Sequence, residues 1–230
     1  MNTNTISQPQ IFIGYDSREA KAYDVCKFSI EQVSDIKINK LFSEDIETYN
    51  RDWGEPQSTD FTFTRFWVPQ LSNYEGWSFF VDCDFVFLED PAQLIQRHFD
   101  PSKAVMVCKH PLYTPNSVIK MDGVPQHTMP RKNWASLIIF NNEHPSIKEG
   151  LSWKEVNEHM PSRDLHQFKF LHDDEIGSIP LDWNCLDDYY DLENPKAIHY
   201  TDGGPWFDNY ERTMYSDIWN TEQAIMKAQK

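Results

Sequence analysis

The sequence predicts an α/β domain with a central, mostly parallel sheet flanked by helices, and three observations lead there. Short apolar runs alternate with amphipathic segments of helical length along nearly the whole chain. The most apolar run, Phe79-Phe80-Val81-Asp82-Cys83-Asp84-Phe85-Val86-Phe87-Leu88, carries two carboxylates one residue apart, as at the end of a buried strand. A length of 230 residues, 40% hydrophobic and 14% aromatic, is enough for one packed core. A flexible N-terminus over 1-10 and a single domain over 11-230 are therefore expected.

Ile11 to Gly14 reads as the first strand, and Ser17 as the cap of a helix reaching about Gln32, with Ala20, Tyr23, Val25, Phe28 and Ile30 on its apolar face. Ile36 to Phe42 reads as a second strand, and Ser43 to Asp60 as a polar loop. Thr64 to Leu71 reads as a helix that must place Pro69 in its first turn or stop there. Trp77 to Phe85 is the central buried strand. Pro91 to Phe99 follows as a short helix and Ala104 to Lys109 as a strand. Pro111 to Lys132, with four prolines, is a long loop or a β-excursion. Trp134 to Phe140 is a further strand, Ser146 to Met160 a helix, Ile176 to Pro180 a short strand, and Tyr215 to Gln229 a closing helix.

A net charge of -15 argues against a nucleic-acid surface, which needs clustered Lys and Arg. Cys26, Cys83, Cys108 and Cys185 show no C-x-x-C spacing, so free thiols in a reducing compartment are expected. Met1 to Gln10 has neither the basic start nor the apolar segment of a signal peptide. No apolar run approaches the ~20 residues that span a bilayer, so no transmembrane segment is expected. The expected setting is cytoplasmic. Walker A, G-x-S-x-G and G-x-G-x-x-G patterns are all absent, which removes support from kinase, serine hydrolase and dehydrogenase functions.

Ligands of parallel α/β sheets sit beyond the carboxyl ends of the strands, which brings Gly14 to Arg18 and Asp82 to Asp84 to one edge. Two buried like charges need a positive partner, and hard carboxylate oxygens suit Mn²⁺ or Mg²⁺. The other reading of Asp82 and Asp84 is a strand end facing water. Gly14 allows close approach to its backbone, Tyr15 offers a stacking face, and Asp16 offers an acceptor for a base imide or ribose hydroxyl. Arg65 either pairs with an acidic surface or steadies phosphates beside the two aspartates. His199, after the apolar Ala197-Ile198, is a third metal ligand or a buried histidine beside a tight turn. Gly203 and Gly204 offer backbone N–H groups to phosphate, and Trp206 a pocket wall. Asp173 and Asp174, in His172-Asp173-Asp174-Glu175, are a second carboxylate site or a solvated helix start. Asn133 contributes an amide to a sugar pocket or is an ordinary loop residue.

In combination and order, these stations resemble a known family. Ile11-Phe12-Ile13-Gly14-Tyr15-Asp16, Phe63 to Pro69 and Val81-Asp82-Cys83-Asp84 are similar to the nucleotide-sugar half of GT-A glycosyltransferases, especially family 8 of the glycogenin and lipopolysaccharide-galactosyltransferase type. Leu137 to Asn141, Asp173 to Ile176, Leu181 to Asn184 and His199 to Trp206 continue the likeness, which spans Ile11 to Trp206. The resemblance implies a GT-A (Rossmann-like) domain that moves a hexose from a UDP-sugar, UDP-glucose or UDP-galactose first, to an unknown carbohydrate or other hydroxyl acceptor, with retention. It implies Mn²⁺ or Mg²⁺ on Asp82, Asp84 and His199, the base on Tyr15 and Asp16, and Cys83 against the ribose. Arg65 would face the donor phosphates and sugar, and Asp173 or Asp174 the hexose near the reacting carbon. One departure stands out. The family motif His-x-x-Gly-x-x-Lys-Pro-Trp has Asp202 at its first Gly here and no Lys before Pro205. The amides of Gly203 and Gly204, or Arg131 or Lys132, are the candidate replacements.

Two rivals remain. A haloacid-dehalogenase-type phosphohydrolase also ends an apolar strand in Asp-x-Asp, but its motif sits on the first strand. A nucleotide-sugar binder that has lost turnover is favoured by the missing lysine.

Overall fold

The computed structural model describes residues 9–229 except 53, 55, 56, 99, 121 and 122. The flexible start expected over 1-10 therefore falls mostly outside the described residues. Strands and helices alternate as β1 (Gln10–Gly14), α1 (Ala20–Val33), β2 (Lys37–Leu41), α2 (Val68–Leu71), β3 (Trp77–Val81), β4 (Phe85–Phe87), α3 (Ala92–His98) and β5 (Val105–Cys108). The chain continues through β6 (Ile119–Lys120), β7 (Val124–Pro125), β8 (Leu137–Asn141), α4 (Pro145–Gly150), α5 (Ser162–His166), β9 (Ile176–Ile179), β10 (Cys185–Leu186), β11 (Ala197–His199) and α6 (Ser216–Ala228).

Six strands form the main sheet in the order β2-β1-β3-β8-β5-β9. β1 runs parallel to β2 and β3, and β5 parallel to β9, while β8 runs antiparallel to both β3 and β5. The sheet is thus mixed, with one reversed strand in its middle. Every residue of β3, β5 and β8 is buried, which explains sequences that are apolar but for Ser78 and Asn141: both faces are covered and nothing alternates. β2, at the edge, exposes Lys37 and Lys40, charges that discourage pairing with another chain.

The central strand is shorter than expected. It ends at Val81, the chain turns through Cys83 and Asp84, and β4 joins a second sheet in the order β10-β11-β4. Asp82 prolongs the first ladder by donating its N–H to the Ser136 carbonyl (2.9 Å). The turn follows from the acids themselves, which a strand continuing through the core would bury without partners.

Other elements depart from expectation as well. Asp16, not Ser17, caps the entry to α1: its carboxylate accepts the Arg18 N–H, and a 3₁₀ turn over Ser17–Glu19 leads into the helix. The buried face of α1 carries Tyr23, Val25, Phe28 and Ile30 as expected, with Ala22, Cys26 and Ser29, while Ala20 is only half-buried. The helix expected over Ser146 to Met160 breaks after Gly150. Met160 is extended (φ -97°, ψ 120°), as the following Pro161 requires. The excursion after β5 carries the β6–β7 hairpin.

α1 is tied to the second sheet by Ser29, whose Oγ accepts the Phe87 N–H (3.0 Å) and donates to the Cys26 carbonyl (2.8 Å). Ser29 is buried, so replacing it strands a backbone donor. Ser29→Ala is expected to lower unfolding free energy in urea by about 1–3 kcal/mol. A variant melting at the wild-type urea midpoint would show that this tie carries no stability.

Candidate active site

Two ladders build the site. β3 and its continuation against Ser136 deliver Asp82. The antiparallel pairing of β4 with β11 sets His199 opposite Phe85, and one step further Tyr200 N–H donates to the Asp84 carbonyl (2.9 Å). Ligand atoms of Asp82, Asp84 and His199 all lie within 4.8 Å of one another.

Each of the three is oriented by a specific neighbour. His199 stacks on Phe85, with ring centroids 4.4 Å apart and 15° between planes. Its Nδ1 lies 2.9 Å from Asn184 Oδ1, and the Asn184 amide N–H donates to Ser136 Oγ (2.9 Å). An acceptor at Nδ1 puts the ring proton there and turns the Nε2 lone pair toward the carboxylates, with Nε2 3.4 Å from Asp84 Oδ2. Asp82 pairs with Arg65 (Nη1 to Oδ1, 2.9 Å). Burial pushes the Asp82 carboxyl up to about 6 against the pull of Arg65, and Asp84 beside it adds to the rise.

Asp84 Oδ1 is buried and has no hydrogen-bond partner among the described residues. An orphaned carboxylate oxygen facing a second carboxylate and a correctly tautomeric imidazole fits a hard divalent cation.

Glu19 belongs to the same neighbourhood, though nothing in its sequence context marks it. It is 2% exposed, and its Oε2 is without a partner among the described residues. Burial, then the charge on Asp84, push its carboxyl up to about 8. Only the docking of α1 against β4 brings it there; in sequence it reads as a first-turn acid.

Several expected site residues do other work here. Arg65 is buried, with Nη1 donating to the Ala135 carbonyl (2.7 Å) and Nε to the Thr62 carbonyl (3.1 Å). It therefore holds Asp82 in place rather than projecting freely toward a ligand. Asp16 is wholly buried, and its oxygens accept from Arg18 N, Nε and Nη2 and from Asp60 N. That leaves no acceptor for a base or ribose in this conformation. A Cβ added at Gly14 would lie 2.5 Å from the Phe61 ring, so the close approach that this glycine permits is that of Phe61. Tyr15 is half-buried, edge-on to Tyr23 and Phe42, with Lys40 Nζ 3.5 Å from its ring centroid. The Cys83 side chain is buried, and burial raises its thiol well above the ordinary range.

The segment after His199 folds against the same edge. Asn133, at φ 62°, donates to Thr201 Oγ1 (3.0 Å) and Tyr113 Oη (2.7 Å). Gly203 turns at φ 117° and donates its N–H to the Tyr200 carbonyl (2.9 Å). Gly204 carries the Trp206 ring, whose six-membered edge would be 2.2 Å from an added Cβ. Trp206 packs on Tyr200 and Trp219, in the small cluster between the second sheet and α6.

Asp173 and Asp174 are not brought to the cluster. They lie in the 3₁₀ turn before β9, whose first residue, Ile176, is level through Val105 and Phe140 with Ser78, whereas Asp82 leaves the far end of β3. Asp173 pairs with Arg131 (2.6 Å), which holds its carboxyl below the ordinary range, and the Asp174 carbonyl accepts from Lys103 Nζ (2.8 Å). The late acidic motif of a phosphohydrolase is lost by the same geometry.

Asn184→Leu is expected to weaken Mn²⁺ binding about 10–100-fold by releasing the His199 tautomer. Titration calorimetry on metal-free protein checks it, and an unchanged affinity would remove His199 from the ligand set.

No family model matches the chain. It is 43% identical over 224 residues to Protein CDI of Arabidopsis thaliana, covering 93% of this chain and 85% of that protein. Among solved structures it resembles the bifunctional glycosyltransferase WbbM (17% identity, TM-score 0.65), covering 97% of this chain but 51%, about half, of that one. It also resembles the galactosyltransferase LgtC in complex with donor and acceptor sugar analogs (13% identity, TM-score 0.58, 94% and 95% of the two chains). A third likeness is to the glycosyltransferase GlyE of Streptococcus pneumoniae (15% identity, TM-score 0.61, 96% of this chain and 62% of that one). These likenesses establish a GT-A-like glycosyltransferase fold.

Proposed function

The chain belongs to the family of Arabidopsis thaliana Protein CDI, and we propose that it is a metal-dependent glycosyltransferase moving a hexose from a UDP-sugar to a hydroxyl acceptor. The observation that carries this reading is the convergence of Asp82, Asp84 and His199, beyond the carboxyl end of β3, in a fold shared with glycosyltransferases. The resemblance to family 8 supports UDP-glucose or UDP-galactose as donor, a carbohydrate or other hydroxyl as acceptor, and retention. Four buried thiols without a disulfide support a reducing, cytoplasmic setting. No helix among the described residues is long and apolar enough to cross a membrane. We read 11-230 as a single domain.

In this reading Asp82, Asp84 and His199 hold Mn²⁺ or Mg²⁺, which when bound neutralises charge on the donor diphosphate as a Lewis acid. Arg65 and Asn184 keep Asp82 and His199 aimed at that point before any ligand arrives. The buried surround, with Phe85 beneath the imidazole, keeps the local dielectric low and strengthens each charge interaction with the donor. Tyr15 serves the base with its ring, Gly204 the phosphates with its backbone N–H while Gly203 shapes the turn, and Asn133 the sugar with its amide oxygen. Asp16 serves by fixing Arg18 and the start of α1.

A second reading, a nucleotide-sugar binder without turnover, draws on two observations: no lysine precedes Pro205, and Asp173 and Asp174 lie away from the metal ligands. Nucleotide release from UDP-, GDP- and CDP-sugars, measured with Mn²⁺, with Mg²⁺ and with EDTA, separates the two. Metal-dependent release of UDP from one donor is expected, while tight donor binding with no release, acceptors supplied, selects the binder. Asp84→Ala is expected to lose metal-dependent donor binding and turnover while keeping the wild-type Tm; retained turnover would overturn the metal assignment.

A further inference from the structure

Two lysines from the excursion after β5 come to the segment that follows His199. Lys120, at the end of β6, donates Nζ to the Thr201 carbonyl (3.2 Å), two residues past His199. Lys132 donates Nζ to Gln126 Oε1 (3.1 Å), and the amide of its neighbour Asn133 reaches Thr201 Oγ1. Both lysines are half-buried. The charge of Lys120 is felt at Glu19 and Asp82 on one side and at Lys132 on the other.

Such a pair is unfavourable on its own. Each ammonium has three donors, and among the described residues each has a single neutral oxygen as its acceptor. Among the described residues neither sits in a salt bridge. Burial, and then the charge of Lys120, hold the Lys132 ammonium down at about 8. Asp202 acts on Lys132, and Glu19 and Asp82 on Lys120, but none of these carboxylates forms a salt bridge with either ammonium among the described residues, so the two cations keep donors for an anion with several oxygens. In a chain of net charge -15, with Glu19, Asp82 and Asp84 nearby, a polyanion needs such local cations to enter. The excursion supplies them, Lys120 from its hairpin and Lys132 from the turn beyond it, far in sequence from the aspartates.

We propose that Lys120 and Lys132 bind the diphosphate of the donor beside the metal site. The pair thus provides the positive charge that no residue before Pro205 offers. This inference rests on the nucleotide-sugar reading above.

Titration calorimetry at fixed Mn²⁺, with UDP, inorganic pyrophosphate and uridine as probes, tests it on wild type, Lys120→Met, Lys132→Met, the double variant and the paired Lys→Arg variant. Each Met substitution is expected to weaken UDP and pyrophosphate about tenfold, to leave uridine and Mn²⁺ binding unchanged, and to be reversed by arginine. A double Met variant that binds UDP and pyrophosphate as tightly as wild type overturns the pair. Equal losses for Mn²⁺ or uridine also overturn it, since the lysines would then only support the fold. Wild-type protein that binds Mn²⁺ but neither UDP nor pyrophosphate removes the nucleotide-sugar reading itself.

Discussion

Carboxylates in an apolar surround repel one another and lose hydration, and the rest of the structure is organised around holding several of them together at the end of β3. The fold answers with main-chain hydrogen bonds. Asp82 is fixed by one ladder through Ser136 and Asp84 by another through Tyr200. A turn between them lets the two side chains converge where a continuous strand would drive both into the core. The consequence is a set of negative groups whose repulsion is relieved by whatever positive charge arrives, which is a disposition toward metal and phosphate chemistry.

The supporting shell has the same logic. Arg65 is ringed by carbonyls of Thr62 and Ala135, so its charge stays on Asp82 whether or not a ligand is present. Asn184 links His199 to Ser136, which in turn receives Asp82, so histidine and aspartate share one hydrogen-bonded frame. α1 contributes Glu19 and is itself tied to β4 through Ser29. Order at the site is therefore inseparable from packing between the two sheets.

The residues legible in sequence were those whose chemistry contradicts their surroundings. Asp82 and Asp84 stand out in an apolar run, and His199 follows two apolar residues before a glycine-rich turn. Residues whose surroundings gave no contrast were misjudged or missed. Glu19 reads as an ordinary first-turn acid, and Lys120 as one charge in a polar excursion. Asp173 and Asp174 read as a carboxylate station, yet the parallel pairing of β9 with β5 carries them to the other end of the sheet. Asp16 and Arg65 were correctly placed at this edge, but hydrogen bonds to Arg18, Asp60 and main-chain carbonyls already engage them. Engagement of that kind depends on partners far along the chain, such as Ala135 for Arg65, and no local pattern encodes it.

By itself the sequence determined the α/β class, the order of the principal strands and the two acids at the end of the central one. Those features follow from hydrophobic periodicity and from the cost of burying charge, both of which act over a few residues. Tertiary structure decided that β8 runs backwards, that β4 leaves for a second sheet, and that Glu19 and Lys120 come near the two aspartates with Lys132 on the far side of Lys120. Strand direction and side-chain convergence are set by pairings between segments tens of residues apart, where many arrangements satisfy the same local pattern and packing of the whole core selects one.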